Sequence, residues 1–233
     1  VSLVWLDLET TGLDPNAGFI LEVAVVVTDE ALVPFYSRSL LVDARLDAVP
    51  MAADGEPHDG QWSGIFRQSN PTSTAAAEVE RMHTGNGLLT EINERRPGGI
   101  EMAQEVLLGE LAQALPMADD LGPLCGNGVA HFDRAWLAVH MPELEARFSH
   151  RHLDTRSLWL AVQRWSDFGG APADVRAHRA MPDVMDSIAF ALWFRERFMT
   201  KPELLRSISS VDRESYDRAQ QQWAESVVRG DVV

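Results

Sequence analysis

The chain has 233 residues and sets 20 Lys and Arg against 35 Asp and Glu, a formal net charge of −15 at pH 7. Hydrophobic residues make up 45% and charged residues 24%, ordinary globular usage that argues against a disordered chain or a coiled coil, and the length suits one compact domain with elaborations. No apolar run reaches the ~18 residues of a membrane span, and so large an acidic excess argues against holding long nucleic acid by phosphate neutralisation, unless carboxylate-held metal ions supply the positive charge.

The opening VSLVWLDLET has no basic region and an acid already at Asp7, so it is expected not to be a secretory signal. Residues 3–8, LVWLDL, form an apolar run ending in acids, which predicts a strand buried on both faces. FILEVAVVVT (19–28) predicts a second strand and VPFYSRSLLV (33–42) a weaker third. Gly12, Asp14, Pro15, Asn16 and Gly18 mark the turn between the first two, and the three together predict an antiparallel meander. Residues 52–75 carry three Gly and two Pro with no period, so they read as an inserted loop.

Helical patterns follow. Two short helices are expected over 74–94, broken near Gly85 and Gly87, and another over 99–115, stopped by Pro116. LGPLCGN (121–127) reads as a short strand running into a glycine turn, and 132–141 as a helix with Phe132, Trp136 and Val139 on one stripe. HLD (152–154) predicts a short strand and TRSLWLAVQRW a helix after it. Residues 182–199 read as a helix opened by Pro182, with Met185, Ile188, Ala189, Leu192 and Trp193 at helical spacing. A last helix is expected over 211–229, stopped by Gly230. Strands first, then strands alternating with helices, predict an α/β fold: a mixed sheet flanked by helices. Cys125 is the only cysteine, which rules out an intrachain disulfide and points to a reducing, cytoplasmic compartment.

Asp7-Leu8-Glu9 carries the first chemical signal. Residues two apart on a strand share a face, so two carboxylates stand side by side. Like charges there are costly unless a cation joins them, and a divalent metal takes carboxylate oxygens. Asp133 follows the glycine-rich CGNGVAHF at a helix start, where capping alone also favours an acid. His178 lies five residues before Asp183, in the loop leading to the 182–199 helix. A histidine titrating near neutrality suits the activation of a water.

D-x-E on the first strand, an Asp at a later helix start and H-x4-D at the last core helix form one set. In this the sequence resembles the DEDDh class of 3′–5′ exonucleases, with the ribonuclease H-like fold, and all five residues are present in order. Within the class the resemblance is to oligoribonuclease. It is carried by LVWLDLETTGLDP, ILEVAVVVTDE, RMHTGNGLL, MPELEARF, RHLDTRSLW and HRAMPD, over residues 2–51 and 78–199. The resemblance implies hydrolysis of short RNA to 5′-mononucleotides with two divalent ions, Mg²⁺ or Mn²⁺. Asp7, Glu9, Asp133 and Asp183 would be the metal ligands, Asp7 bridging both ions, and His178 the general base. It further implies substrate contacts from Leu13, as a wedge against the terminal bases, and from His83, Asn86 and Arg151, and a homodimer. The metals would answer the charge balance, and an acidic surface disfavours long duplexes.

The expected organisation is an exonuclease domain over 1–200, with the 52–75 insertion, and a C-terminal helical extension over 201–233. Thr10 stands where oligoribonucleases typically have Met, and Arg156 where they have a small hydroxyl residue. A single-stranded DNA or dual-specificity exonuclease of the proofreading type is the alternative. A non-catalytic nucleic-acid-binding module is disfavoured because no member of the set is missing.

Overall fold

The computed structural model describes residues 2–48, 62–116, 120–165 and 177–199. The chain divides into two compact units, residues 1–190 and 191–233. In the second, Arg195–Met199 form a π-helical turn, with Phe198 packed edge-on against Trp193 (ring centroids 5.8 Å apart) and tilted against Phe194 (5.0 Å). The helix expected over 211–229 lies outside the described residues.

The first unit is built on a five-stranded sheet. Its strands are β1 (Leu3–Thr10), β2 (Ile20–Thr28), β3 (Pro34–Leu41), β4 (Leu124–Gly126) and β5 (His152–Asp154), in the order β3-β2-β1-β4-β5. β1 to β3 form the antiparallel meander, whereas β4 joins β1, and β5 joins β4, in parallel. The helices are α1 (Ala44–Asp47), α2 (Trp62–Ser69), α3 (Ser73–Gly85), α4 (Leu88–Arg95), α5 (Ile100–Ala114), α6 (Asp133–His140), α7 (Pro142–Glu145), α8 (Thr155–Trp165) and α9 (Ala180–Phe194).

β1 is central because it is apolar on both faces. Val4, Leu6 and Leu8 point to one face, into a core shared with Val23, Val25 and Val27 of β2, Leu107 and Leu111 of α5, and Trp136 and Leu137 of α6. Trp5, Asp7 and Glu9 take the other face by strand alternation. Trp5 is fully buried there, and its indole N–H donates to Thr28 Oγ1 at 3.0 Å, so the one polar atom it brings inside is satisfied. A second cluster joins Leu21 to Phe66 of α2 and to Leu88, Leu89 and Ile92 of α4.

Several expectations need correction. Residues 62–75 are not loop: α2 fills most of that stretch and α3 starts at Ser73. Ile65 and Phe66 are buried, and a short helix needs only such an anchored apolar side to form. The rest of the 52–75 insertion, up to residue 61, lies outside the described residues. In α6 the buried face is Asp133, Trp136 and Leu137, whereas Val139 is 44% exposed. In α9, Val184 and Ile188 are buried, whereas Met185 and Ala189 face solvent. The apolar spacing fitted both stripes, and packing chose the one carrying the carboxylate. α9 also starts two residues before Pro182. Pro182 costs no helical bond there, because the first intrahelical donor is Asp183 N, to Arg179 O at 3.1 Å.

His140 closes α6 over the β1–β2 turn. Its ring stacks on Trp136 (5.3 Å) and its Nε2–H donates to Pro15 O at 2.8 Å. Burial lowers its pKa. The folded protein therefore favours neutral imidazole, and the unfolded chain takes up the proton first as pH falls below about 6.5. The stability this histidine contributes is complete above that pH and declines below it. In urea denaturation, His140→Gln is expected to cost about 1 kcal/mol at pH 8, with the gap to wild type narrower at pH 5.5.

Candidate active site

The C-terminal end of β1 carries Asp7 and Glu9, 7% and 6% exposed. Across the β1–β2 register Asp7 faces Ala24, and Glu9 faces Glu22. A small residue opposite Asp7 spares it a second like charge. Asp133, 2% exposed, opens α6, and its Oδ1 accepts a hydrogen bond from Leu8 N at 3.1 Å. That bond fastens Asp133 to the strand between Asp7 and Glu9. Asp183 lies in the first turn of α9, and its Oδ1 accepts from Ala177 N at 3.0 Å. Both acids sit at helix N-termini, where the backbone dipoles favour a negative charge.

His178 is exposed, in left-handed backbone conformation (φ +52°), and its carbonyl accepts from the Asn86 side-chain amide. One side-chain donor atom each from Glu9, His178 and Asp183 lies within 4.8 Å of the others. Asp7, Glu9, Asp133, His178 and Asp183 line one cavity of about 460 Å³. Residues more than 170 positions apart in the chain thus meet at one opening.

The donor set suits a divalent cation: clustered, buried carboxylate oxygens of the type hard cations take. His83 adds a second indication. It is fully buried, its Nε2 lies 3.0 Å from Thr10 O, and its pKa is lowered, chiefly by burial. A neutral ring donating from Nε2 leaves Nδ1 as an acceptor. Nδ1 has no hydrogen-bond partner among the described residues and lies 3.9 Å from Glu9 Oε2. Two acceptors facing each other out of water call for a donor or a cation beside them.

Curated relatives match nearly end to end. The oligoribonuclease of Idiomarina loihiensis is 32% identical over 202 residues, 85% of this chain and 95% of its own. That of Tropheryma whipplei is 32% identical over 200 residues, 85% and 94%. The chain belongs to the oligoribonuclease family. No protein-family model matches it. Among solved structures, exonuclease I of Methylocaldum szegediense aligns with a TM-score of 0.52 at 18% identity, over 90% of this chain and 43% of that one. The zinc-bound Escherichia coli exonuclease I complex with single-stranded DNA gives 0.52 at 15%, over 90% and 43%. The chain spans less than half of those larger proteins, and the likeness shows the ribonuclease H-like exonuclease fold.

The remaining residues singled out in this oligoribonuclease-family chain fall in different places. Leu13 lines the cavity and is 83% exposed. His83 lines it too. Asn86 is outside the lining; besides holding the His178 carbonyl, its Oδ1 accepts from Leu88 N at 3.1 Å and so starts α4. Arg151 is exposed and also outside the lining. Arg156, one helical step into α8, lines the cavity instead, with its guanidinium 4.5 Å from the Trp159 ring centroid. Strand β5 separates the two arginines, and only the one in α8 lines the cavity.

The described part of the insertion reaches the site through the turn after β1. Thr11 Oγ1 donates to Ser69 Oγ at 2.6 Å, and Asn70 Nδ2 donates to Thr11 O at 2.8 Å. Gly12 lies so close to α2 that a Cβ there would stand 2.4 Å from Ser69 O. Thr10, departing from the family's Met, donates its hydroxyl to Gly12 O at 2.8 Å and tightens the same turn. Gly12→Ala must push backbone against backbone. It is expected to cost about 1–3 kcal/mol in denaturant unfolding.

Proposed function

We propose that this chain is a metal-dependent 3′–5′ exoribonuclease that hydrolyses short oligoribonucleotides to 5′-mononucleotides. The observation that carries the proposal is the gathering of Asp7, Glu9, Asp133, His178 and Asp183 around one cavity, in a member of the oligoribonuclease family. Asp7, Glu9, Asp133 and Asp183 are the residues that would hold two divalent ions, Mg²⁺ or Mn²⁺. When bound, the ions supply the positive charge that offsets the scissile phosphate and the departing 3′ oxygen.

The protein's own groups do the rest. Leu13, exposed at the cavity, packs against the terminal bases. His83 faces the 3′-terminal sugar from beside Glu9, and Arg156 offers a guanidinium to a backbone phosphate on the 5′ side. His178 takes the proton of the water whose oxygen attacks phosphorus. The bond from phosphorus to the 3′ oxygen breaks, one 5′-mononucleotide leaves, and the departing 3′ oxygen takes a proton from solvent, so the shortened strand keeps a free 3′ hydroxyl. His178 suits this role because it alone of the five is exposed, so it can exchange its proton with solvent. Residues 1–200 form the exonuclease domain in this proposal and 201–233 an extension. A homodimer and a cytoplasmic location belong to it as well. Among the described residues no helix is long and apolar enough to cross a membrane.

The deciding experiment is a time course on 5′-labelled RNA and DNA from two nucleotides upward, with and without chelator. Mononucleotide release from the 3′ end of short RNA, lost on chelation, is the expected result; release from DNA alone would transfer the activity to the alternative substrate. Asp7→Asn should reduce release by more than the roughly 10–100-fold that loss of an outer metal-site contact costs. It should also abolish the rise in melting temperature that Mg²⁺ or Mn²⁺ gives the wild type. His178→Ala should lower kcat by about 10²–10⁴-fold with KM nearly unchanged; a change in KM alone would remove the histidine from the chemistry.

A further inference from the structure

Glu22 is an acid near the start of the apolar strand β2, 2% exposed, directly across from Glu9. A buried carboxylate there is strongly disfavoured unless its oxygens are fully used. They are. Oε1 accepts from Ser39 Oγ at 2.9 Å and from Arg179 Nη2 at 3.3 Å. Oε2 accepts from Arg179 Nε at 2.9 Å and from Ala180 N at 3.1 Å. The Arg179 guanidinium also donates from Nη2 to Glu91 Oε2 at 2.6 Å, and Glu91 in turn pairs with Arg95 at 2.8 Å. The bond to Glu22 holds the Arg179 pKa above its usual value, so its charge is permanent.

Arg179 and Ala180 directly follow His178. Each of residues 177–180 is therefore fastened: Ala177 N to Asp183, the His178 carbonyl to Asn86, the Arg179 side chain and Ala180 N to Glu22. Such fastening has a purpose at His178, whose left-handed backbone (φ +52°) is uncommon for a residue with a side chain and persists only where its surroundings over-determine it. With the backbone fixed on both sides, the imidazole keeps only its two side-chain torsions, and its nitrogen stays within reach of Glu9 and Asp183.

We infer that Glu22, acting through Arg179 and Ala180, is a positioning residue that holds the backbone of His178 and so aims its ring into the catalytic cavity. This rests on the proposed role of His178 as general base. The rival view, that the pair only stabilises the fold, predicts no special coupling to His178. A fork-shaped guanidinium bridging two carboxylates is a device that lysine cannot copy.

The test uses the full chain carrying Glu22→Gln, with thermal melting as the control for folding. The variant is expected to lose roughly 10–100-fold in kcat on a diribonucleotide, as an outer-contact change does, with little change in KM. In the His178→Ala background the same substitution should cause no further loss, because the group it positions is gone. In the metal-free protein the His178 ring ¹³Cε1 resonance, assigned by its absence in His178→Ala, should shift or broaden while that of His140 stays put. A folded Glu22→Gln protein with wild-type kcat, losses that multiply in the double variant, or an unaltered His178 resonance would each overturn the inference. If Glu22→Gln does not fold, Arg179→Lys carries the same three measurements. A wild type that releases no mononucleotides, or a His178→Ala protein as active as wild type, would instead count against the exonuclease reading, and the resonance would still decide whether Glu22 positions the ring.

Discussion

Four carboxylates brought to one opening in a chain that already carries −15 are the constraint around which this fold is arranged. Asp7, Glu9, Asp133 and Asp183 are each less than a tenth exposed, so water does little to separate their charges. In a partly buried setting, repulsion between unit charges a few ångströms apart amounts to several kcal/mol. A sequence keeps such an arrangement only if something offsets it. The backbone offers part of the compensation: Leu8 N donates to Asp133, Ala177 N to Asp183, and two helices direct their N-termini at the cluster. The lining also brings one guanidinium, that of Arg156, to the same opening.

The same requirement explains why the site lies where it does. Only a strand apolar on both faces can run through the centre of the sheet and deliver two acids at its end without exposing the rest of itself. β4, parallel to β1, carries the chain past that end into the glycine turn that leads to Asp133. Gly126 has φ +155°, and a Cβ on it would meet Leu6 O at 2.5 Å, so the turn can hug β1 only because that residue lacks a side chain. Position thus follows from packing: hydrophobic continuity sets the strand, a missing Cβ lets the second strand close in, and the bond to Leu8 N ties the third carboxylate to it.

Much of this was legible in the order of residues. The meander and the break between α3 and α4 at Asn86 and Gly87 carry strong local signals, β-branched runs and glycine punctuation, whereas Asp7, Glu9, Asp133, His178 and Asp183 are ordinary one by one and stood out only as a set in order along the chain. The misses share a different cause. Val139 and Met185 fit an apolar stripe as well as Leu137 and Val184 do, and only the tertiary partner decides which stripe turns inward. α2 was hidden because its glycine and serines dilute a pattern in which two side chains, Ile65 and Phe66, do the anchoring. Arg151 and Arg156 stand five residues apart in one run, and which one reaches the cavity depends on where β5 gives way to α8. Glu22 did leave a trace, one acid within an otherwise apolar strand, but its partner Arg179 lies 157 residues away, beyond any local pattern.

Glu9 and Glu22 face each other across two strands of one sheet, and they resolve the same electrostatic problem in opposite ways. Glu22 is matched inside the chain: a guanidinium, a hydroxyl and a backbone amide take up both of its oxygens. That match is permanent, so Glu22 can anchor a loop. Glu9 has beside it a histidine that burial keeps neutral, with the bare face of Nδ1 turned toward it. A neutral imidazole cannot cancel a carboxylate. The strand pair therefore separates a charge matched inside the fold from one that stands beside a neutral imidazole at the cavity, and the loop fastened by the first carries the histidine that lies within reach of the second.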